Sequence, residues 1–185
     1  MSPPLLPVLR SDDWPGREHA WSRPLARLPG VGGLPLLALA EDRGSMLAFV
    51  GERRLALLDI DAQEAERRAL EHLCQRDATW RWVQSMTPVG DWLATYVCEG
   101  SLAAERILDV QTMVEAQQLV ASGKPLAVGI PHQDMLLCTA LGGAASGAFP
   151  KLVRSLWERP TVQGAEQLTP LVFLVDRGHI VGHAG

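Results

Sequence analysis

Apolar residues fall into short blocks along this chain, and their spacing changes from block to block. Between Gly123 and Ala140 two unbroken apolar runs, residues 126–130 and 135–140, flank a polar knot, Pro131-His132-Gln133-Asp134. Neither run alternates polar with apolar, which predicts strands covered on both faces and central in a sheet. Residues 34–40 predict a first strand. Residues 45–50 and 54–60 predict a hairpin closed by Gly51-Glu52-Arg53, where glycine accepts a positive φ. Residues 79–86 and 92–98 predict another hairpin, turning at Pro88, Gly90 and Asp91, with Trp80, Trp82, Trp92 and Tyr96 packed across it. Residues 171–175 predict a further buried strand, and 178–183 an edge segment.

Helical spacing is clearest over residues 61–76. Asp61 is placed to cap the first turn and Glu64, three residues on, completes a capping-box pattern. Ala62, Ala65, Ala69, Leu70, Leu73 and Cys74 form one apolar stripe. A second helix is predicted from Ser101, as its cap, to about Val120. Its apolar residues lie on two sides, Ala103, Ile107, Val110 and Val114 against Leu108 and Leu119, which predicts a sandwiched helix. A small-residue loop at 142–147 leads into a third helix over 148–157. Hairpins interspersed with helices predict an α+β fold, a mixed and largely antiparallel sheet with about three helices.

Residues 1–33 differ from the rest. Pro3, Pro4, Pro7, Pro15, Pro24 and Pro29 interrupt every candidate helix or strand there, while Trp14 and Trp21 are too apolar for a free tail. They predict a Pro-rich arm packed on a single domain of residues 34–185.

Composition narrows the function classes. With 185 residues, 47% apolar and 21% charged, the chain is long and apolar enough for one domain with a real core. A net charge of -4 gives no reason to expect a nucleic-acid or anionic-membrane partner. Three widely spaced cysteines, Cys74, Cys98 and Cys138, fit buried free thiols in a reducing compartment rather than a disulfide framework or a metal motif. The N-terminus lacks the basic start and apolar core of a secretory signal, and no apolar run approaches the roughly 20 residues that cross a bilayer. A soluble cytoplasmic protein is the expectation.

Five blocks carry a further signal. Pro7-Val8-Leu9-Arg10-Ser11 comes first. Residues 34–41 with 46–59 follow, leading into a helix that ends Ala69-Leu70-Glu71-His72-Leu73. Then come Glu99-Gly100-Ser101-Leu102-Ala103-Ala104-Glu105-Arg106-Ile107-Leu108, Ile130-Pro131-His132-Gln133-Asp134-Met135-Leu136 and Leu168-Thr169-Pro170-Leu171-Val172-Phe173. In order and spacing they resemble the YtpQ-like family of bacterial proteins, with His72 where that family usually has asparagine. Longer members carry an N-terminal segment that this chain lacks. The resemblance implies a fold and a compartment and brings no assigned activity.

Candidate chemistry centres on the knot. In extended backbone His132 and Asp134 share a face, so the pair could orient one another for acid–base work or hold a metal. The same residues also suit a turn, with Pro131 fixing φ and Asp134 bonding backbone, and two ligands fall short of a metal site. His132, Gln133, Asp134 and Glu99 form the candidate functional cluster, and no metal or cofactor is expected. His179 and His183 have the spacing of a helical metal pair, but Gly178 and Gly182 disfavour a helix there. Gly142, Gly143 and Gly147 lack the Lys-Ser/Thr of a phosphate loop, and Asp91 with Glu99 matches no one carboxylate geometry. Without a catalytic constellation, the leading expectation is a non-catalytic domain that binds a protein partner, as a regulator or immunity-type inhibitor. A hydrolase using His132 and Asp134, and a small-ligand sensor, are the alternatives.

Overall fold

A computed structural model describes residues 3–86, 92–142, 145–159 and 164–184. The turn expected at Pro88, Gly90 and Asp91, and Gly143 of the small-residue loop, lie outside the described residues. The fold is α+β, built on two sheets in which every described strand pairing is antiparallel rather than mixed. Among the described residues no helix is long and apolar enough to cross a membrane.

The first sheet holds β1 (Leu5–Arg10), β2 (Ser22–Pro24), β3 (Leu36–Asp42) and β4 (Leu47–Phe49). Strands β1, β2 and β4 all pair with β3. Prolines therefore do not exclude strands from the first 33 residues. The outward-facing positions of β1 are Leu5, Pro7 and Leu9, since side chains from outside the sheet bond the backbone of Leu5 and Leu9. Pro7 sits between them, where its missing N–H costs no ladder bond. Trp14 packs on Phe49 of β4, ring centroids 4.5 Å apart, and Trp21 joins the cluster of Leu5, Leu39, Val50 and Leu55.

The 54–60 strand is not formed. After Gly51 the chain enters a short helix, α1 (Glu52–Leu57), and β4 finds its partner in β3 instead. Arg54 on α1 reaches back to Glu41 of β3 (Nε–Oε1 2.7 Å), which is buried and also bonded by Arg43. Helix α2 (Ala62–Cys74) follows the expected stripe through Ala65, Ala69 and Leu73, which are buried, with Asp61 accepting from the Glu64 N–H at 2.7 Å. Such a cap is worth about 1 kcal/mol. Cys74 at the last turn of α2 is exposed, so only Cys98 and Cys138 are the buried thiols expected.

The second sheet runs in the order β10–β9–β7–β8–β6–β5, made of β5 (Thr79–Met86), β6 (Trp92–Glu99), β7 (Leu126–Gly129), β8 (Met135–Ala140), β9 (Val172–Asp176) and β10 (His179–Ala184). The two apolar runs are its central pair. Leu126, Val128, Leu136 and Cys138 face one core, shared with Leu9 and Leu37 of the first sheet and with Met113 and Ala116. Ala127 and Leu137 face another, with Phe149 and Val153. Covering on both faces is what makes these strands apolar throughout. At the β5 edge Trp80 stacks on Tyr96 at 4.9 Å and Trp82 tilts against it at 5.2 Å. His179 and His183 lie in the other edge strand, β10, not on a helix.

Residues 101–120 form two pieces instead of one helix. A 3-10 turn at Ala104–Leu108 precedes α3 (Val110–Ala121), whose cap is Asp109, accepting from the Thr112 N–H. Met113, Ala116, Gln117 and Ala121 face inward, while Val110, Val114 and Leu119 are exposed, so α3 is one-sided and not sandwiched. The last helix, α4 (Ala145–Glu158), starts earlier than expected and takes in Gly147; with the unexpected α1, the described residues hold four α-helices where about three were expected.

Candidate functional site at the seam of the two sheets

The polar knot is the joint at which four parts of the fold meet. Gln133 donates to Leu9 O of β1 at 2.9 Å and accepts at its backbone carbonyl from the Ala104 N–H of the 3-10 turn. The Gln133 N–H donates to Glu166 O at 3.1 Å, and the Leu168 N–H donates to Pro131 O at 2.8 Å. Asp134 O accepts from the Gly100 N–H at the end of β6. Central strands on either side hold the knot, and these bonds tie it to the first sheet.

His132 is fully buried, with no solvent exposure. Its Nε2 lies 2.8 Å from Leu156 O of α4. A carbonyl only accepts, so Nε2 carries hydrogen. Nδ1 then faces Asp134 Oδ1 at 3.4 Å, and neither atom has a hydrogen-bond partner. Glu99 is not part of this group: its carboxylate pairs with Arg81 (Nη2–Oε2 2.8 Å) on an exposed surface. The structure thus brings His132, Gln133 and Asp134 together and leaves Glu99 aside.

A residue that sequence reasoning missed completes the site. Glu105 is 1% exposed, and its Oε1 accepts from the Leu9 N–H at 2.8 Å while Oε2 has no partner. Burial pushes its carboxyl up to about 7, against the Leu9 N–H and the nearby Arg10 and Arg106, which act to lower it. Its signal in the sequence is the Glu-Arg pair inside the apolar run from Leu102 to Leu108. Next to it Arg106, also buried, donates to Leu73 O, Arg76 O and Asp77 O at the end of α2 and pairs with Asp109 at 3.5 Å. Arg10 binds Glu166 and lays its guanidinium over Trp14 and Phe49, which leaves Nε buried and unpaired.

Among the described residues, the buried side-chain polar atoms without a partner are Arg10 Nε, Glu105 Oε2, His132 Nδ1 and Asp134 Oδ1. All belong to this seam. Arg10, Glu105, Gln133 and Asp134 line a cavity of about 170 Å³ together with Val8, Leu47, Ser101 and Leu102. Ser101 also lines two adjoining cavities, about 270 Å³ towards Asp42 and Met46 and about 480 Å³ towards Asp77 and Glu99. The three cavities share Ser101 in their walls, and this seam cleft has exposed Met46 and Leu47 on one lip. Leu102 in its wall has φ 63°, a left-handed conformation that a leucine adopts only when its surroundings impose it. A larger cavity of about 780 Å³ lies between residues 17–22 and the start of α1, away from all of these unpaired atoms.

Comparison of the chain with family models, with curated proteins and with solved structures finds no match.

Proposed function

We propose that this protein is a non-catalytic binding domain that takes an extended segment of a protein partner into the seam cleft. The observation that carries this reading is that, among the described residues, three of the four with an unpaired buried polar atom, Arg10, Glu105 and Asp134, line one cavity. Buried polar groups are nearly always satisfied, so unsatisfied ones in a cleft favour a site built for something else to complete. The exposed Met46 and Leu47 add an apolar lip beside that polar interior.

A hydrolase built on His132 and Asp134 is the second reading, favoured by their close approach. Against it, the His132 ring is sealed from solvent and one of its nitrogens is tied to the backbone of α4. The blocks that resemble the YtpQ-like family support placing the chain there, and three free thiols favour a reducing, cytoplasmic setting.

Selection of a displayed library of random peptides on the intact protein tests the binding reading. One sequence family should enrich, and it should be lost on Leu47→Asp and Ser101→Arg, both at partly or fully exposed positions of the cleft. Failure to enrich any family, or enrichment that both variants leave untouched, sinks it.

A further inference from the structure

We propose that the outer edge of β5 is a dimer interface, where β5 of a second copy adds antiparallel about a two-fold axis at Val83 and joins the two six-stranded sheets into one. The inference is independent of the seam cleft.

Open sheet edges invite pairing, and folds blunt them by shortness, proline, bulges or cover. The other edges of this fold are blunted. Side chains of His72, Glu105 and Gln133 occupy the outer side of β1. Strands β2 and β4 have three residues each, and β2 ends in Pro24. In β10 the register slips between Ile180 and Gly182. Strand β5 runs for eight residues in unbroken register with β6 and contains neither proline nor lysine. Its one charge, Arg81, pairs with Glu99 of β6. The Thr95 hydroxyl of β6 donates to Val83 O at 3.3 Å, so the backbone of Val83 faces β6. Alternation then turns the N–H and C=O groups of Trp80, Trp82, Gln84 and Met86 outward.

The sequence of β5 complements itself across this edge. A two-fold axis normal to the sheet sets even-numbered residues opposite even and odd opposite odd, so the face bearing Trp80, Trp82 and Met86 meets itself. On that face Trp82 is 51% and Met86 63% exposed in the single chain. Charge chooses between the two registers that use nearly the whole strand. With the axis at Trp82, Arg81 lies diagonal to Arg81 of the second copy, within reach of a like charge. With the axis at Val83, Arg81 lies opposite Ser85 and is offset along the strand from the other Arg81 by about 13 Å. Trp80 then sits opposite Met86, a sulfur–aromatic pairing. The two Trp82 rings lie diagonal, which extends the packing of Trp80 and Trp82 on Tyr96 across the axis.

Sedimentation velocity of the full chain, from micromolar to millimolar concentration, tests this. A monomer–dimer equilibrium is expected, with hydrogen exchange at the Trp80, Trp82, Gln84 and Met86 amides slowing as the dimer fills. Ser85→Arg opposes two guanidinium groups across the axis and should weaken the dimer at least tenfold, whereas Ser85→Glu faces Arg81 with a carboxylate and should tighten it. Should Ser85→Arg fail to fold, Trp82→Lys at an exposed position serves instead, with the same loss expected. A monomer at every concentration, a dimer indifferent to Trp82→Lys, or Ser85 variants that both shift it the same way overturns the interface. A monomer whose β5 edge enriches displayed peptides, lost on Trp82→Lys, also overturns it and gives the edge to a foreign strand.

Discussion

Glu105 holds its proton longer in the folded chain than an exposed carboxyl would, because burial raises it from an ordinary 4.5 to about 7. The folded state therefore binds more protons than the unfolded state between these two values. The stability tied to this group is fully present below pH 4.5, falls as pH rises towards 7 and is gone above it. The shift corresponds to about 3 kcal/mol. Glu105→Gln removes the titration but keeps an oxygen to accept from Leu9. The difference in unfolding free energy between parent and variant, measured in urea from pH 4 to 8, should move by about 2–3 kcal/mol in the variant's favour across that window. A flat difference would mean that folding does not raise Glu105 above its ordinary value. Arg106 poses the opposite case, a buried charge whose partners are all in place. Arg106→Ala strands Asp109 and three carbonyls at the end of α2, and should cost about 3–5 kcal/mol by chemical denaturation. Arg106→Lys should recover little, since one ammonium cannot span positions that a planar fork reaches together. Both residues were hidden in the sequence for one reason. A Glu-Arg pair reads as the wet side of a helix until the surrounding apolar residues are known to close over it. The knot was legible because two continuous apolar runs fixed its place between central strands.

At the scale of elements, legibility followed length and end signals. Helix α2 declares itself through a three-turn stripe and the Asp61 cap, and β7 and β8 through unbroken apolar runs. Helix α1 does neither. Its six residues bury only Leu55, Gly51 offers no side-chain cap, and Asp59 with φ 53° lies just beyond its end. What holds it is tertiary: the Arg54–Glu41 bond and the packing of Leu55 on Leu5 and Leu39. The cap at Asp109 was masked because Ile107, Leu108 and Val110 carry apolar character straight across it. Close approach of α4 to β7 depends on Gly129, where a Cβ would come within 2.4 Å of Val153 Cγ2. Gly129→Ala should cost about 1–3 kcal/mol through overpacking. Adding Val153→Ala to the same chain should return part of that loss, so that the pair is less destabilising than the sum of the singles. Strict additivity in a double-mutant cycle would show that this contact is not the source of the cost.

The whole molecule stands on how the first sheet joins the second. Strand β1 is an edge in its own sheet, yet its outer side is not left open. His72 Nδ1 bonds Leu5 O at 2.9 Å, Glu105 accepts from the Leu9 N–H, and Gln133 donates to Leu9 O. Three side chains from α2, the 3-10 turn and the knot thus take the place of a neighbouring strand, which is one way a fold closes an edge against mispairing. Counting prolines could not reveal this, because the rule that bars proline from strands applies to inward-facing N–H groups, and Pro7 faces out. The same arrangement decides what the first 33 residues contribute. Leu5, Leu6, Val8, Leu9 and Leu25 are buried. At about 2 kcal/mol each they represent roughly 10 kcal/mol of burial, as much as the whole net stability of a typical domain. Their loss would also unpair Glu105 and Gln133 inside the core. A chain beginning at residue 34 should therefore show no cooperative thermal transition and a collapsed amide NMR spectrum. A sharp transition with native-like dispersion from that chain would show instead that residues 1–33 are an arm laid on a domain that folds without them.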